Sequence, residues 1–197
     1  MRTVETKVYT FEELSDAAKQ VALDRHREIN AHDGWWEPIY DGLYDRAEEA
    51  GFEVEDIHFS GFWSQGDGAM FTYKDFNENM LKGFVAQLDL SEEDKQLILA
   101  QAVVDGKGIH RGHYYHHKSC DHYSWLQSND PSNEQATDLI DGLSDAFEDY
   151  VIEVYEDLCI GLYSSLNSYY DELTSDVYVG EMLIDNEYEF TEDGVMF

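Results

Sequence analysis

The sequence predicts an α+β fold, a small antiparallel sheet with packed helices that include one long acidic helix near the C-terminal end. Three patterns predict it. Short β-patterned runs are punctuated by glycine, as in Phe52–Phe59, Gln65-Gly66-Asp67-Gly68 and Ala69–Tyr73, which is the layout of a hairpin. Other segments carry apolar residues three and four apart behind capping residues, the mark of amphipathic helices. No strand–helix–strand alternation supports a parallel sheet. The 197 residues contain only 2 Pro and no low-complexity stretch, so a single domain over 1–197 is expected.

In chain order, Val4–Phe11 reads as a short strand. Thr10-Phe11-Glu12-Glu13 reads as a capping box, followed by a helix with Leu14, Ala17, Ala18, Val21, Ala22 and His26 on one face. A second helix over about 36–50 carries Trp36, Ile39, Leu43 and Ala47, ending at Gly51. After the hairpin, helices are expected over 75–88 and 91–104, the latter opening at Ser91 with Glu92, Glu93 and Asp94 at the positive end of its dipole. Residues 109–127 return to β character, with a break near Cys120-Asp121. Asn133 caps a helix spanning 134–173, whose core stripe is Ile140, Leu143, Phe147, Val151, Val154, Leu158 and Leu162. A short helix over 176–186 and a terminal strand over 188–197 finish the chain.

Charge is the strongest functional signal. Against 43 Asp and Glu stand 12 Lys and Arg, a net of −31. Disordered acidic tails lack the aromatic content found here, 14% of residues, so the charge belongs to a folded body. Residues 119–197 hold 20 acids and no Lys or Arg, leaving a net of −11 for residues 1–118. That C-terminal segment therefore cannot form internal Lys or Arg ion pairs, and cations must come from a basic partner or from concentrated salt.

The acids of the long helix are Glu134, Asp138, Asp141, Asp145, Glu148, Asp149, Glu153, Glu156 and Asp157. Their spacing places most of them on one solvent-facing stripe beside the core stripe, with no lysine at i+4 to offset them. A merely solvated helix face would mix signs. A rigid row of negative charge resembles a phosphate backbone, and a protein built to neutralise phosphates with Lys and Arg would bind it. These residues are the candidate partner-binding site, and a basic nucleic-acid-binding protein is the candidate partner. A purely solubilising face and adaptation to high salt are the plainer alternatives. Direct nucleic-acid binding is not expected without a basic patch, and neither is a membrane span, since no apolar run is long enough. Two cysteines without a secretory h-region suit a reducing cytoplasm. A homodimer stays open.

Chemistry finds less support. His110, His113, His116, His117, Cys120 and His122 lie within 13 residues and offer zinc as an alternative, with His113, His117, Cys120 and His122 as the ligands. Structural zinc sites usually pair two ligand clusters across a spacer, and this segment has one. If 112–117 is a strand, His113 and His117 share a face. Gly61–Gly66 places its serine one residue too far from the first glycine for a nucleophile elbow. Cys120 beside His117 and His122 is a weak thiol–imidazole candidate. No phosphate loop or dinucleotide fingerprint occurs. No catalytic residue and no cofactor are expected, and the protein is read as a non-enzyme.

The stretch Ser60-Gly61-Phe62-Trp63-Ser64-Gln65-Gly66-Asp67-Gly68-Ala69, with Gly112–His116, Tyr170–Asp176 and Phe190–Gly194, resembles a family of small phage and prophage proteins, some labelled antitoxin. The resemblance covers most of the chain. It implies a viral or mobile-element origin, hence the host cytoplasm, and no catalytic residues. It makes two targets natural for the acidic surface: a host defence protein such as a restriction or CRISPR complex, or a basic nuclease toxin. Phage DNA mimics are similar to this chain in charge and size, a likeness of strategy rather than descent. Phe62 and Trp63 in the motif are expected to anchor the core.

Overall fold

The computed structural model describes residues 1, 5–32 and 34–197. The chain is α+β and divides into two compact units, Met1–Glu37 with Leu166–Phe197, and Pro38–Ser165.

In the first unit, β1 (Tyr9–Thr10) pairs antiparallel with β6 (Glu189–Phe190). The expected first strand is shorter than its pattern suggested, and Val4 lies outside the described residues. The capping box forms at Thr10 and Glu13, but it opens only a 3-10 turn over Phe11–Glu13. A separate cap, Ser15, accepts from the Ala18 amide and starts α1 (Asp16–Arg25). Two starts in succession rotate the helix relative to its expected face. Leu14, Ala18, Ala22 and Leu23 are buried with Val179 and Leu183 of α7 (Asp176–Asp185) and Phe190, while Ala17 and Val21 are exposed. The terminal strand stops at Phe190 because residues 191–195 turn back, with the Thr191 amide donating to the Val195 carbonyl at 2.8 Å.

In the second unit, β2 (Phe52–Phe59), β3 (Ala69–Phe76), β4 (Ala102–His110) and β5 (Cys120–Ser128) form an antiparallel meander in that order. Helix α2 (Glu37–Ala50) precedes the sheet and buries Leu43 and Ala47. Helices α3 (Glu78–Gln87) and α4 (Glu92–Gln101) connect β3 to β4, and the expected caps Ser91 and Asn133 both form. The β run over 109–127 is broken, as expected, but the break lies at 111–119 rather than near Cys120-Asp121, where β5 begins. The β4–β5 ladder closes at His110 opposite Cys120, and the Arg111 amide donates to Ser119 at 2.8 Å. Residues 111–116 form a loop and His117–Ser119 a 3-10 turn. His113 and His117 therefore share no strand face.

The expected single helix over 134–173 is two helices, α5 (Glu134–Asp141) and α6 (Ser144–Leu173). The interruption falls at Gly142, and glycine is the least favourable non-proline residue inside a helix, by roughly 1 kcal/mol against alanine. Breaking there lets α5 bury Ala136 and Ile140 while packing on β5 and α4. Within this unit α6 buries Phe147, Val151, Tyr155, Cys159 and Leu162. Tyr155 and Cys159 thus occupy the central positions expected of Val154 and Leu158, which are half-buried. The Tyr155 ring lies 4.6 Å from Phe71, and its hydroxyl donates to the Phe71 carbonyl at 2.8 Å. That bond satisfies the one polar atom of a ring whose burial, like that of Phe52 and Phe71 beside it, is worth roughly 1.5–3 kcal/mol.

Candidate functional site

Two surfaces of the second unit carry the candidate functional side chains, and they differ in charge. The first is the outer side of α5 and α6. Of the nine predicted carboxylates, Glu134, Asp138 and Asp141 lie on α5 and the other six on α6, so they do not share one helix. On α6, Asp145, Asp149, Glu153 and Asp157 recur every four residues and are all exposed, placing neighbours about 5–6 Å apart. Glu148 is also exposed. Glu156, half-buried, stands 3.8 Å from His117 Nε2. Among the described residues, no Lys or Arg forms an ion pair with any of the nine. Acidic residues elsewhere in this unit do find cations, as in Lys82–Glu78 and Arg111–Asp121.

The second surface is built from two loops. Residues 60–68 join β2 to β3, and residues 111–116 follow β4. The first loop is tied internally: Asp67 Oδ2 accepts from the amides of Trp63 at 2.8 Å and Ser64 at 2.6 Å. Ser60 and Gly68 close its neck through the Ser60 amide to the Gly68 carbonyl and the Gly68 amide to Ser60 Oγ, both 3.2 Å. The Tyr163 hydroxyl donates to the Gly61 carbonyl at 3.3 Å, and the Tyr163 ring packs against Phe62. The second loop is seated on the first. A Cβ at Gly66 would fall 2.3 Å from the Tyr114 ring, and one at Gly68 would fall 2.9 Å from His116 Cα. His58 stacks on Tyr115 at 5.0 Å, with His110 beside both rings. An open cleft of about 680 Å³ lies between the loops, lined by Ser60, Ser64, Gln65, Asp67, His113 and Tyr114. Trp63 is 76% exposed and Tyr114 63% exposed. The expectation that Trp63 anchors the core is therefore overturned, whereas Phe62 is half-buried between Phe59 and Tyr163.

Several histidines of the His-rich segment make packing contacts. His122 lies 3.1 Å from the Tyr73 hydroxyl and edge-on to Tyr155, and burial lowers its pKa. The His116 and His117 rings lie against each other, tilted, with centroids 3.9 Å apart. Among the described residues, no three His, Cys, Asp or Glu side chains converge to hold a metal ion. The Cys120 and Cys159 thiols both lie at the Tyr155 hydroxyl, where burial pushes them up to about 11 and about 12. A nucleophilic cysteine needs the opposite shift. Ser64 sits in a hairpin connection with its amide on Asp67, and the strand β3 follows, so the nucleophile-elbow geometry is absent at this serine. Among the described residues, no helix is long and apolar enough to cross a membrane.

One feature is readable in the sequence only once the loops are seen together. Residues 106–120 form the longest stretch of the chain without an Asp or Glu, and they hold Lys107, Arg111, Lys118 and four histidines. The cleft lies beside this acid-free stretch.

The chain belongs to a family described as "Domain of unknown function (DUF8835)", whose model matches residues 35–176. The match takes in both loops, α5 and all of α6. No curated protein and no solved structure matches the chain.

Proposed function

We propose that this member of the family is an acidic binding protein whose α6 face occupies the nucleic-acid-binding surface of a basic protein. The observation that carries the reading is the four-residue recurrence of Asp145, Asp149, Glu153 and Asp157 on the exposed side of α6, without a Lys or Arg partner among the described residues. The six carboxylates between Asp145 and Asp157 span about 18 Å of helix at a rise of ~1.5 Å per residue. That is one charge per ~3 Å, close to the ~3.4 Å per phosphate along one strand of B-DNA. Like charges four apart on a helix each cost a few tenths of a kcal/mol, so the row works against the fold that bears it. A binding role accounts for that cost.

The partner is a protein evolved to neutralise phosphates. In keeping with the phage resemblance, it is a host defence or other DNA-binding protein in the host cytoplasm, and no catalytic step is needed. An antitoxin covering a basic nuclease would use the same contact.

Capture from bacterial host lysate at low salt, followed by displacement with duplex DNA, tests the reading. The expected result is a retained nucleic-acid-binding protein that DNA releases and that Asp145→Lys, Asp149→Lys, Glu153→Lys, Asp157→Lys does not retain. Retention undiminished in that variant would overturn it. Folding that requires molar salt would instead favour salt adaptation.

A further inference from the structure

We propose that the cleft between the 60–68 and 111–116 loops binds a free mononucleotide, an aromatic base carrying phosphate. The inference is independent of the α6 face, sharing no residue with it.

The loops are built as a site. Asp67 spends one carboxylate oxygen on two amides of its own loop, which fixes the backbone around Trp63 and Ser64. Gly66 and Gly68 let the second loop lie directly on the first, and the His58–Tyr115–His110 stack holds that loop from the other side. Tyr114 lines the cleft and Trp63, next to the lining Ser64, is exposed on the facing loop. Exposed rings on rigid loops resemble the stacking platforms that nucleobases use, since every base has a π-face. The volume, about 680 Å³, is in the range of small-ligand clefts.

Apart from Asp67, whose Oδ2 is held by two amides of its own loop, the polar lining offers hydrogen-bond donors to a phosphate. Ser60 and Ser64 offer hydroxyls, Gln65 an amide and His113 an imidazole, all hydrogen-bond donors. His113 and Tyr114 of the cleft wall belong to the acid-free segment 106–120, which also carries Lys107, Arg111 and Lys118. Arg111 is itself engaged by Asp121 and the Tyr123 hydroxyl, so it contributes local charge rather than a free donor. A net of −31 repels a polyanion far more strongly than a single nucleotide, which selects the free mononucleotide over a strand.

Titration of the whole chain with AMP, GMP, CMP and UMP, read by tryptophan fluorescence and calorimetry, tests the proposal. At least one monophosphate should bind in the micromolar to low-millimolar range, more tightly than its nucleoside. Trp63→Ala and Tyr114→Ala should each weaken it roughly ten-fold, the loss expected when one stacking partner is removed. Trp125→Phe, on the exposed side of β5, should leave affinity unchanged. Both loop side chains are largely exposed, so the variants should fold, and unaltered thermal melts would verify that. Failure of all four monophosphates to bind at millimolar concentration would overturn the proposal. So would binding indifferent to both loop variants, a nucleoside binding as tightly as its monophosphate, or a short single-stranded oligonucleotide binding far more tightly than any monophosphate.

Discussion

The outer face of α6 and the pair of loops beside β3 and β4 solve opposite problems on one compact unit. On α6, carboxylates recur on the exposed side without Lys or Arg among the described residues to pair with. In the loops, the charged group of Asp67 is consumed by backbone amides and the neighbouring 106–120 segment has no acid at all. The first surface leaves its carboxylates without a Lys or Arg partner among the described residues, and the second ties the one carboxylate of its cleft to backbone amides. An overall value of −31 conceals this. A chain made acidic only for solubility would have no need of the second arrangement.

The largest effect expected from breaking the contrast is on partner capture. Reversing Asp145, Asp149, Glu153 and Asp157 to Lys should weaken capture more than roughly a hundred-fold, because each reversal replaces attraction to a cationic surface by repulsion. Pull-down against a concentration series would read this. The loop variants Trp63→Ala and Tyr114→Ala should leave that capture unchanged, and a parallel loss would merge the two surfaces into one.

Next in size is Gly66→Ala. The added methyl would meet the Tyr114 ring, displacing the aromatic wall. We expect a several-fold loss of nucleotide binding with little change in capture, measured by the same titrations.

A smaller effect has the opposite sign. Asp149→Asn, Glu153→Gln, Asp157→Asn removes three like-charge pairs spaced by four. At about 0.2–0.5 kcal/mol per pair, the fold should gain about 1 kcal/mol, which for a chain of this size raises Tm by about 2–4 °C at low salt. Greater stability with weaker capture is the signature of residues kept for function. Lower stability would show that the row supports the fold.

The smallest effect concerns pH. Burial is the main reason the pKa values of His58, His117 and His122 lie below the ordinary 6.5, with His110 and His116 adding repulsion at the first two. The folded state holds these rings neutral while the unfolded chain would protonate them. Their contribution is complete above about pH 6.5 and is lost as pH falls through the lowered values. Thermal melts should decline from neutral to mildly acidic pH, and His58→Phe, which keeps a ring against Tyr115, should flatten part of the decline.

Much of the fold was legible because local signals agreed with tertiary ones. The Phe52–Phe59 strand, the hairpin glycines and the caps at Ser91 and Asn133 are set by backbone chemistry within a few residues. The failures come from choices that only packing makes. The 134–173 pattern continues in phase through Gly142, yet the helix breaks there and α5 packs on β5 and α4, and Tyr155 outcompetes Val154 for the core by placing its hydroxyl on Phe71. Alternation over 109–127 suggests a break near Cys120-Asp121 rather than at 111–119, because nothing local reveals that the ladder closes at His110–Cys120. The carboxylates were visible one by one, but their division between two helices was not. Trp63 reads as a core residue from its type alone. Its exposure follows from Asp67 holding the loop backbone so that Phe62, rather than Trp63, turns toward Tyr163. The cleft depends on two loops roughly fifty residues apart in sequence, and no window along the chain would join them.

The central claim is that α6 stands in for a polynucleotide, and its most direct test is the salt dependence of partner affinity. For the captured nucleic-acid-binding partner, log Kd plotted against log salt concentration should be steep for the wild-type chain. It should flatten markedly when Asp145, Asp149, Glu153 and Asp157 are changed to Asn or Gln, as neutralised contacts stop releasing ions. The same slope in both proteins would contradict the account.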